Sequence, residues 1–332
     1  MTGKLLKQMI YLMLVALVGG ALTNGRAQEE QIVTGINLVS VNVMVTDRNG
    51  QYVKGLTRDQ FEVFDEKVKQ QIAHFSDEAG PVSVGIVSEV HNSTPAKTEA
   101  MLTALNQFTR RLGTDDDFFF MAFGKQGSVA ADFVPTADQV MKHLVSVKPG
   151  GPASLYDAVY LAADRLRKGR NLKKILLIIS DGEDESSRTS FKELRNRLRD
   201  FDLQIYAIGI ANPSLDQRSS LGVWVYEDVT RPTGRRPFIP NTETATGRAV
   251  LAEMARVSGG ASYYPESENE PELAVIFAQI ALELRHQYTI GFYPSGQSSS
   301  KAWHKLRVRL NAGRNSPRLE LSYRQGYRRV SR

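Results

Sequence analysis

The sequence contains no cysteine. That excludes a disulfide framework, a thiolate zinc site, a cysteine nucleophile and lipid attachment at a cleavage-site cysteine. It leaves export open, because a chain of 332 residues buries a sufficient core without cross-links. The signatures of several enzyme classes are missing too: G-x-S-x-G, H-E-x-x-H, the Walker A loop and G-x-G-x-x-G do not occur. The five histidines (His74, His91, His143, His286, His304) are scattered. A hydrolase built on Asp181, Glu183 and His91 would need a water activated by a metal. No catalytic residue is therefore expected. Fixed-period repeats and low-complexity tracts are also lacking.

What is present begins with a leader. Lys4 and Lys7 precede an apolar run from Met9 to Leu22, followed by Asn24, Gly25, Arg26 and Ala27. This reads as a signal peptide over residues 1–27 with cleavage after Ala27, hence export to a periplasm or beyond. An uncleaved membrane anchor is the alternative, although the run falls short of the roughly 20 apolar residues a span needs; membrane contact is expected only through this segment if it is retained. The charge then redistributes. The whole chain carries +6, but residues 301–332 hold ten basic residues against Glu320 alone, a net of +9. Residues 28–300 hold 29 basic and 35 acidic residues, a net of −6. An acidic body argues against nucleic acid as a partner.

The length suggests roughly two domains. Residues 31–80 read as short strands with turns between them, including Asp47-Arg48-Asn49-Gly50, and are too few strands to stand alone. From Pro81 the pattern becomes strand–helix alternation. Strands are expected at Val82–Val87, Phe118–Phe123, Val129–Val134, Ile175–Ser180 and Leu203–Ile210, with a last short one ending at Tyr263-Tyr264. Helices are expected at Pro95–Leu112, after Thr136, at Leu155–Arg167, Phe191–Phe201, Thr246–Val257 and Glu270–His286. Continuous apolar strands alternating with helices mean a mostly parallel sheet buried on both faces. In the tail, Leu306, Val308 and Leu310 alternate with Lys305, Arg307 and Arg309, the pattern of an antiparallel strand with one wet face. The expected fold is α/β, a doubly wound, mostly parallel Rossmann-like sheet with helices on both faces over 81–286. A small β-domain is built from strands of both ends, 31–80 and 287–330.

Ligands of such sheets bind beyond the carboxyl ends of the strands, where strand order reverses. Two loops fit that position: Ser88-Glu89-Val90-His91-Asn92-Ser93 and Ser180-Asp181-Gly182-Glu183-Asp184-Glu185. Oxygen-rich loops of this kind suit a hard divalent cation. At this point the sequence resembles the von Willebrand factor A (VWA) domain proteins, specifically the exported bacterial group called VWFA-related. The resemblance is carried by GLTRDQFEVFDE, PVSVGIV, SLYDAVYLA, ILLIISDGEDESS, LAEMARVSGGASYYP and LELRHQYTIGFYP, and runs over about residues 30–330.

The resemblance implies a metal-ion-dependent adhesion site whose first loop reads Asp-x-Ser-x-Ser, holding magnesium or another hard cation that an acidic group of a partner completes. Glu89 stands where the aspartate belongs, His91 at the first serine and Ser93 at the second. The threonine of the loop before SLYDA falls on Ala153, and the second-loop aspartate on Asp181. Only Ser93 and Asp181 match. Magnesium demands near-ideal oxygen geometry, so the expectation is a degenerate site that binds no metal tightly. A weakened magnesium or calcium site is one alternative. A manganese or zinc site on Glu89, His91 and Asp181 is another, since imidazole with carboxylates suits those metals. The acidic run Glu183-Asp184-Glu185 reads as a solvated turn favouring a helix N-terminus near Ser186-Ser187, and Asp157 as a group that caps or orients its own helix.

The long connection 211–245 carries Trp224, Tyr226, Arg235 and Arg236, residue types enriched at binding hot spots; partner contact and mobile cover are both consistent with it. The basic tail reads as the wet face of strands. Together these features point to a binding module for a protein partner. The alternative is a structural component of an envelope complex, assembled through the β-domain.

Overall fold

The computed structural model describes residues 38–89, 95–124, 127–130, 133, 153–210, 247–265, 270–295, 302–311 and 319–329. The expected leader, the expected helix after Thr136, His91, Ser93 and the connection with Trp224, Tyr226, Arg235 and Arg236 lie outside the described residues. No described helix is long and apolar enough to cross a membrane.

Eight consecutive buried positions make β5 (Val82–Glu89) the centre of a six-stranded sheet. Its neighbours are β8 (Lys173–Ser180) on one side and β6 (Asp117–Gly124) on the other, both parallel to it. Beyond β8 lie β9 (Gln204–Gly209) and the two-residue β10 (Ser262–Tyr263), also parallel. The far edge is β7 (Gly127–Ala130), antiparallel to β6. The sequence places this strand at Val129–Val134. Gly124 pairs with Gly127 across a tight hairpin, which starts the strand earlier and reverses it. The chain leaves β5 toward β6, then returns to the other side for β8, so strand order reverses between β5 and β8. That is the switch point at which ligands of open α/β sheets bind.

Helices cover both faces. α1 (Pro95–Arg111) lays Ala104, Leu105 and Phe108 against one face, beside Leu273, Ile276, Phe277 and Ile280 of a later helix, α5 (Glu270–Arg285). α2 (Leu155–Leu166), α3 (Phe191–Leu198) and α4 (Gly247–Ser258) cover the other with Leu155, Val159, Leu194, Val250 and Leu251. α3 stops at Leu198 rather than Phe201, because the chain turns at Arg199-Asp200 to enter β9.

The remaining described strands form two antiparallel four-stranded sheets. One has the order β13 (Glu320–Ser322), β1 (Val39–Thr46), β11 (Gln287–Phe292), β4 (Ile72–Ser76). The other runs β14 (Gly326–Arg328), β12 (Trp303–Leu310), β2 (Phe61–Asp65), β3 (Val68–Gln70). Alternation places Val39, Val41, Val43 and Val45 inward from β1, where they meet Phe61, Val63, Ile290, Phe292 and Val308 in one shared core. Strands from both ends of the chain therefore complete one β-sandwich, as the alternating tail residues imply. A buried carboxylate fixes its far edge: Asp65 accepts from Tyr327 Oη at 2.9 Å and lies 2.8 Å from His304 Nδ1.

Candidate functional site

β5 and β8 are neighbours in register, with Ser88 opposite Ile179. Their carboxyl ends therefore deliver Glu89 and Ser180-Asp181 side by side at the switch point. Glu89 is buried, 4% exposed. Its Oε2 accepts from Ser180 Oγ at 2.7 Å and from the Asp181 backbone N–H at 3.3 Å. Burial first, then the Asp181 charge, pushes the Glu89 carboxyl up to about 7. A carboxyl in this position is about half protonated at neutral pH, whereas a hard cation is best held by ionised oxygens.

The loop after β8 is held by its own side chains. Asp181 Oδ1 accepts from the Glu183 N–H at 2.9 Å, an Asx-type turn. Gly182 has φ +83°, and a Cβ there would run into the backbone of Gly247. This glycine is required both by its left-handed conformation and by the close approach of α4.

The acidic run behaves differently from the expected solvated turn. Asp184 Oδ1 accepts from the Tyr156 N–H at 3.0 Å, and from Ser187 Oγ at 2.6 Å. Glu183 Oε1 accepts from the Gly247 N–H at 2.8 Å. These carboxylates cap the first turns of α2 and α4, helices elsewhere in the sequence. No helix starts at Ser186-Ser187; the next one begins at Phe191 behind Ser190, which forms a capping box with Glu193. Asp157 likewise reaches outward from its own helix, accepting from the Arg188 and Thr189 N–H groups at 2.9 and 3.1 Å. Residues 184–189 are thereby tied to the first turn of α2.

Ala153 is buried and has no side-chain oxygen to offer. Its carbonyl accepts from the Glu185 and Ser186 N–H groups at 2.9 and 3.1 Å. Beside it Ser154 Oγ and Ser186 Oγ lie 2.7 Å apart. This serine pair escapes a sequence reading because 32 residues separate its members. Of the positions expected from the resemblance to line a metal site, the structure brings Glu89, Ala153 and Asp181 to one edge of the sheet. Among the described residues, no group of three or more His, Asp or Glu is arranged to hold a metal ion.

The family model described as von Willebrand factor type A domain matches residues 82–217. No curated protein matches the chain. Among solved structures, an aerotolerance-related membrane protein of Bacteroides fragilis is 16% identical with a TM-score of 0.41, over 61% of this chain and 98% of that one. BatB of Bacteroides thetaiotaomicron is 15% identical with a TM-score of 0.42, over 61% and 98%. A von Willebrand factor type A protein of Catenulispora acidiphila is 10% identical with a TM-score of 0.45, over 88% and 75%. The match begins on the first residue of β5 and takes in β8 and the loop that follows it, so the part of the parallel sheet that carries Glu89 and Asp181 is similar to a von Willebrand factor type A domain.

Proposed function

We propose that the chain is an exported binding module that takes hold of a protein partner at the carboxyl edge of its parallel sheet. The observation that carries this reading is the switch-point loop over residues 181–190, held by the bonds of Asp157, Asp181, Glu183 and Asp184 and by the capping serine, Ser190. Loops fixed on a rigid scaffold present a defined surface. The acidic body and the leader read from residues 1–27 agree with a protein partner outside the cytoplasm. No catalytic role is assigned, and the absence of enzymatic signatures supports that.

The adhesion site is proposed to be degenerate. Ala153 supplies no hydroxyl, and Glu89 turns one oxygen inward to Ser180 and Asp181. The residues described at this edge do not fit a tightly held magnesium ion. A weak divalent site for Mg²⁺, Ca²⁺ or Mn²⁺ remains the competing reading, and in it an acidic side chain of the partner would complete the coordination. The partner contacts proposed for the long connection are Trp224, Tyr226, Arg235 and Arg236.

The test couples calorimetry to partner capture. Titration of Mg²⁺, Ca²⁺ and Mn²⁺ into the mature protein is expected to give no heat at micromolar protein; tight binding of any of them overturns the degenerate site. Capture of cross-linked envelope proteins is expected to weaken in Asp181→Ala and in the paired Trp224→Ala, Arg235→Ala variant. A structural role through the β-sandwich is favoured by exposed Leu38 and Tyr293, 43% and 51% exposed. Capture indifferent to Asp181→Ala but lost in Leu38→Ser would establish that role instead.

A further inference from the structure

Where α3, α4 and β12 come together, two arginines meet one carboxylate and a third stands near them. Glu253 of α4 is buried, and Arg256 holds it through Nε at 2.7 Å and Nη2 at 2.9 Å. Arg195 of α3 approaches the same carboxylate, with Nη1 at 3.7 Å, too far for a hydrogen bond. Arg199, one helical turn on, lies over the Trp303 ring with its guanidinium carbon 5.4 Å from the centroid. Its guanidinium is held below the ordinary arginine range, by burial first and then by the charges of Arg195 and Arg256, with Glu253 acting the other way.

The hydrogen-bond account does not close. A guanidinium carries five N–H donors. The side chain of Arg195 is only 23% exposed, yet its Nε is buried without a partner among the described residues. Neither Arg195 nor Arg199 donates a hydrogen bond to any described residue. Buried donors left unmade are costly, and native structures retain them where something else accepts. The acids nearest in sequence are committed elsewhere: Glu193 to Ser190, Asp200 to Arg328 and Asp202 to Arg324. Three cations thus share one neighbouring carboxylate, leaving an excess of two positive charges in a half-buried place.

We infer that Arg195, Arg199 and Arg256 form a binding site for a multivalent oxyanion, a phosphate or sulfate group, at the junction of α3, α4 and β12. Such a group matches the planar donor fork of arginine two bonds at a time, and two negative charges balance the excess. Trp303 fixes the plane of Arg199, so its fork is oriented before the ligand arrives. The site uses no residue of the switch-point loop and stands or falls independently of the proposed partner surface.

Calorimetry with inorganic pyrophosphate on the full mature chain, at constant ionic strength, tests it. Saturable binding at one site is expected. The paired Arg195→Gln, Arg199→Gln variant should lose at least about tenfold in affinity, and Arg199→Lys, which keeps the charge without the fork, should fall between. Arg110→Gln, an exposed arginine on α1, should bind like wild type. Circular dichroism and the unfolding midpoint show whether each variant is folded; if the paired variant is not, Arg199→Lys carries the test. Co-sedimentation with phosphatidylglycerol vesicles, but not phosphatidylcholine vesicles, competed by pyrophosphate, identifies the anion as a lipid headgroup; pyrophosphate binding alone identifies a soluble phosphate. Absence of binding to both probes, or equal binding by folded wild type and variants, overturns the inference.

Discussion

Replacing Glu89 by Gln removes a charge while keeping an oxygen that accepts from Ser180 and Asp181, and the structure sets the size of the effect. The Glu89 carboxyl moves from 4.5 to about 7 on folding; at about 1.4 kcal/mol per pH unit, ionisation in the folded chain costs about 3 kcal/mol more than in the unfolded one. The sign follows from proton counting. Below pH 4.5 both states are protonated and no penalty exists. Between 4.5 and about 7 the folded chain keeps a proton that the unfolded chain has released, so stability falls as pH rises. Above that window the penalty is complete and constant. The Gln variant has no such slope. In urea unfolding with a chelator present, the stability of Glu89→Gln relative to wild type is expected to rise by about 3 kcal/mol between pH 4.5 and pH 8. Comparing the two proteins cancels every titrating group not coupled to Glu89 and any fixed cost of the amide. Parallel pH profiles would refute the argument that burial beside Asp181 raises this carboxyl.

Three further outcomes follow from the same geometry. Asp184→Ala removes the cap on α2 and the bond to Ser187, and should cost about 1–2 kcal/mol in urea unfolding, with Asp184→Asn recovering part of it; equal stability would mean that water replaces the cap. Glu283 is raised by burial despite the hydroxyls of Tyr263, Tyr52 and Tyr206, so wild-type stability should fall with rising pH above the ordinary glutamate value, and Glu283→Gln should flatten that slope; an unchanged slope counts against a protonated acid there. Gly182→Ala meets both a left-handed φ and the Gly247 backbone, and should lose more than about 2 kcal/mol in thermal unfolding; a smaller loss would show that α4 shifts away easily.

Fold legibility followed the range of the interactions involved. β5 and β8 could be read because a strand buried on both faces leaves a mostly apolar run, Val82–Val87 with Ser83 as its one polar residue and Ile175–Ile179 with none, that needs no knowledge of its neighbours. The β-sandwich could be read because period-two alternation in Lys305–Leu310 demanded partners, and the unpaired strands of residues 31–80 were the ones available. The reversal of β7 could not, since it rests on the antiparallel pairing of Gly124 with Gly127, and two glycines flanking Lys125-Gln126 are too brief a signal to announce it.

The site was legible only in position. Sequence placed Glu89 and Asp181 at the switch point, because strand ends and topology suffice for that. It misassigned the acidic run because a carboxylate near a helix-forming segment is ordinarily credited to the next helix, whereas Asp184 and Glu183 cap helices 28 and 64 residues away. The same long-range bonding changes what these residues mean. Two carboxylates expected on a solvated turn each have an oxygen engaged with a helix N-terminus, and Glu89 has one engaged with Ser180. An ion entering this edge would have to compete with those bonds and with the proton on Glu89. On the proposed reading, the residues that hold the loop in place for a partner are also the ones whose oxygens a cation would have to win from a helix N-terminus.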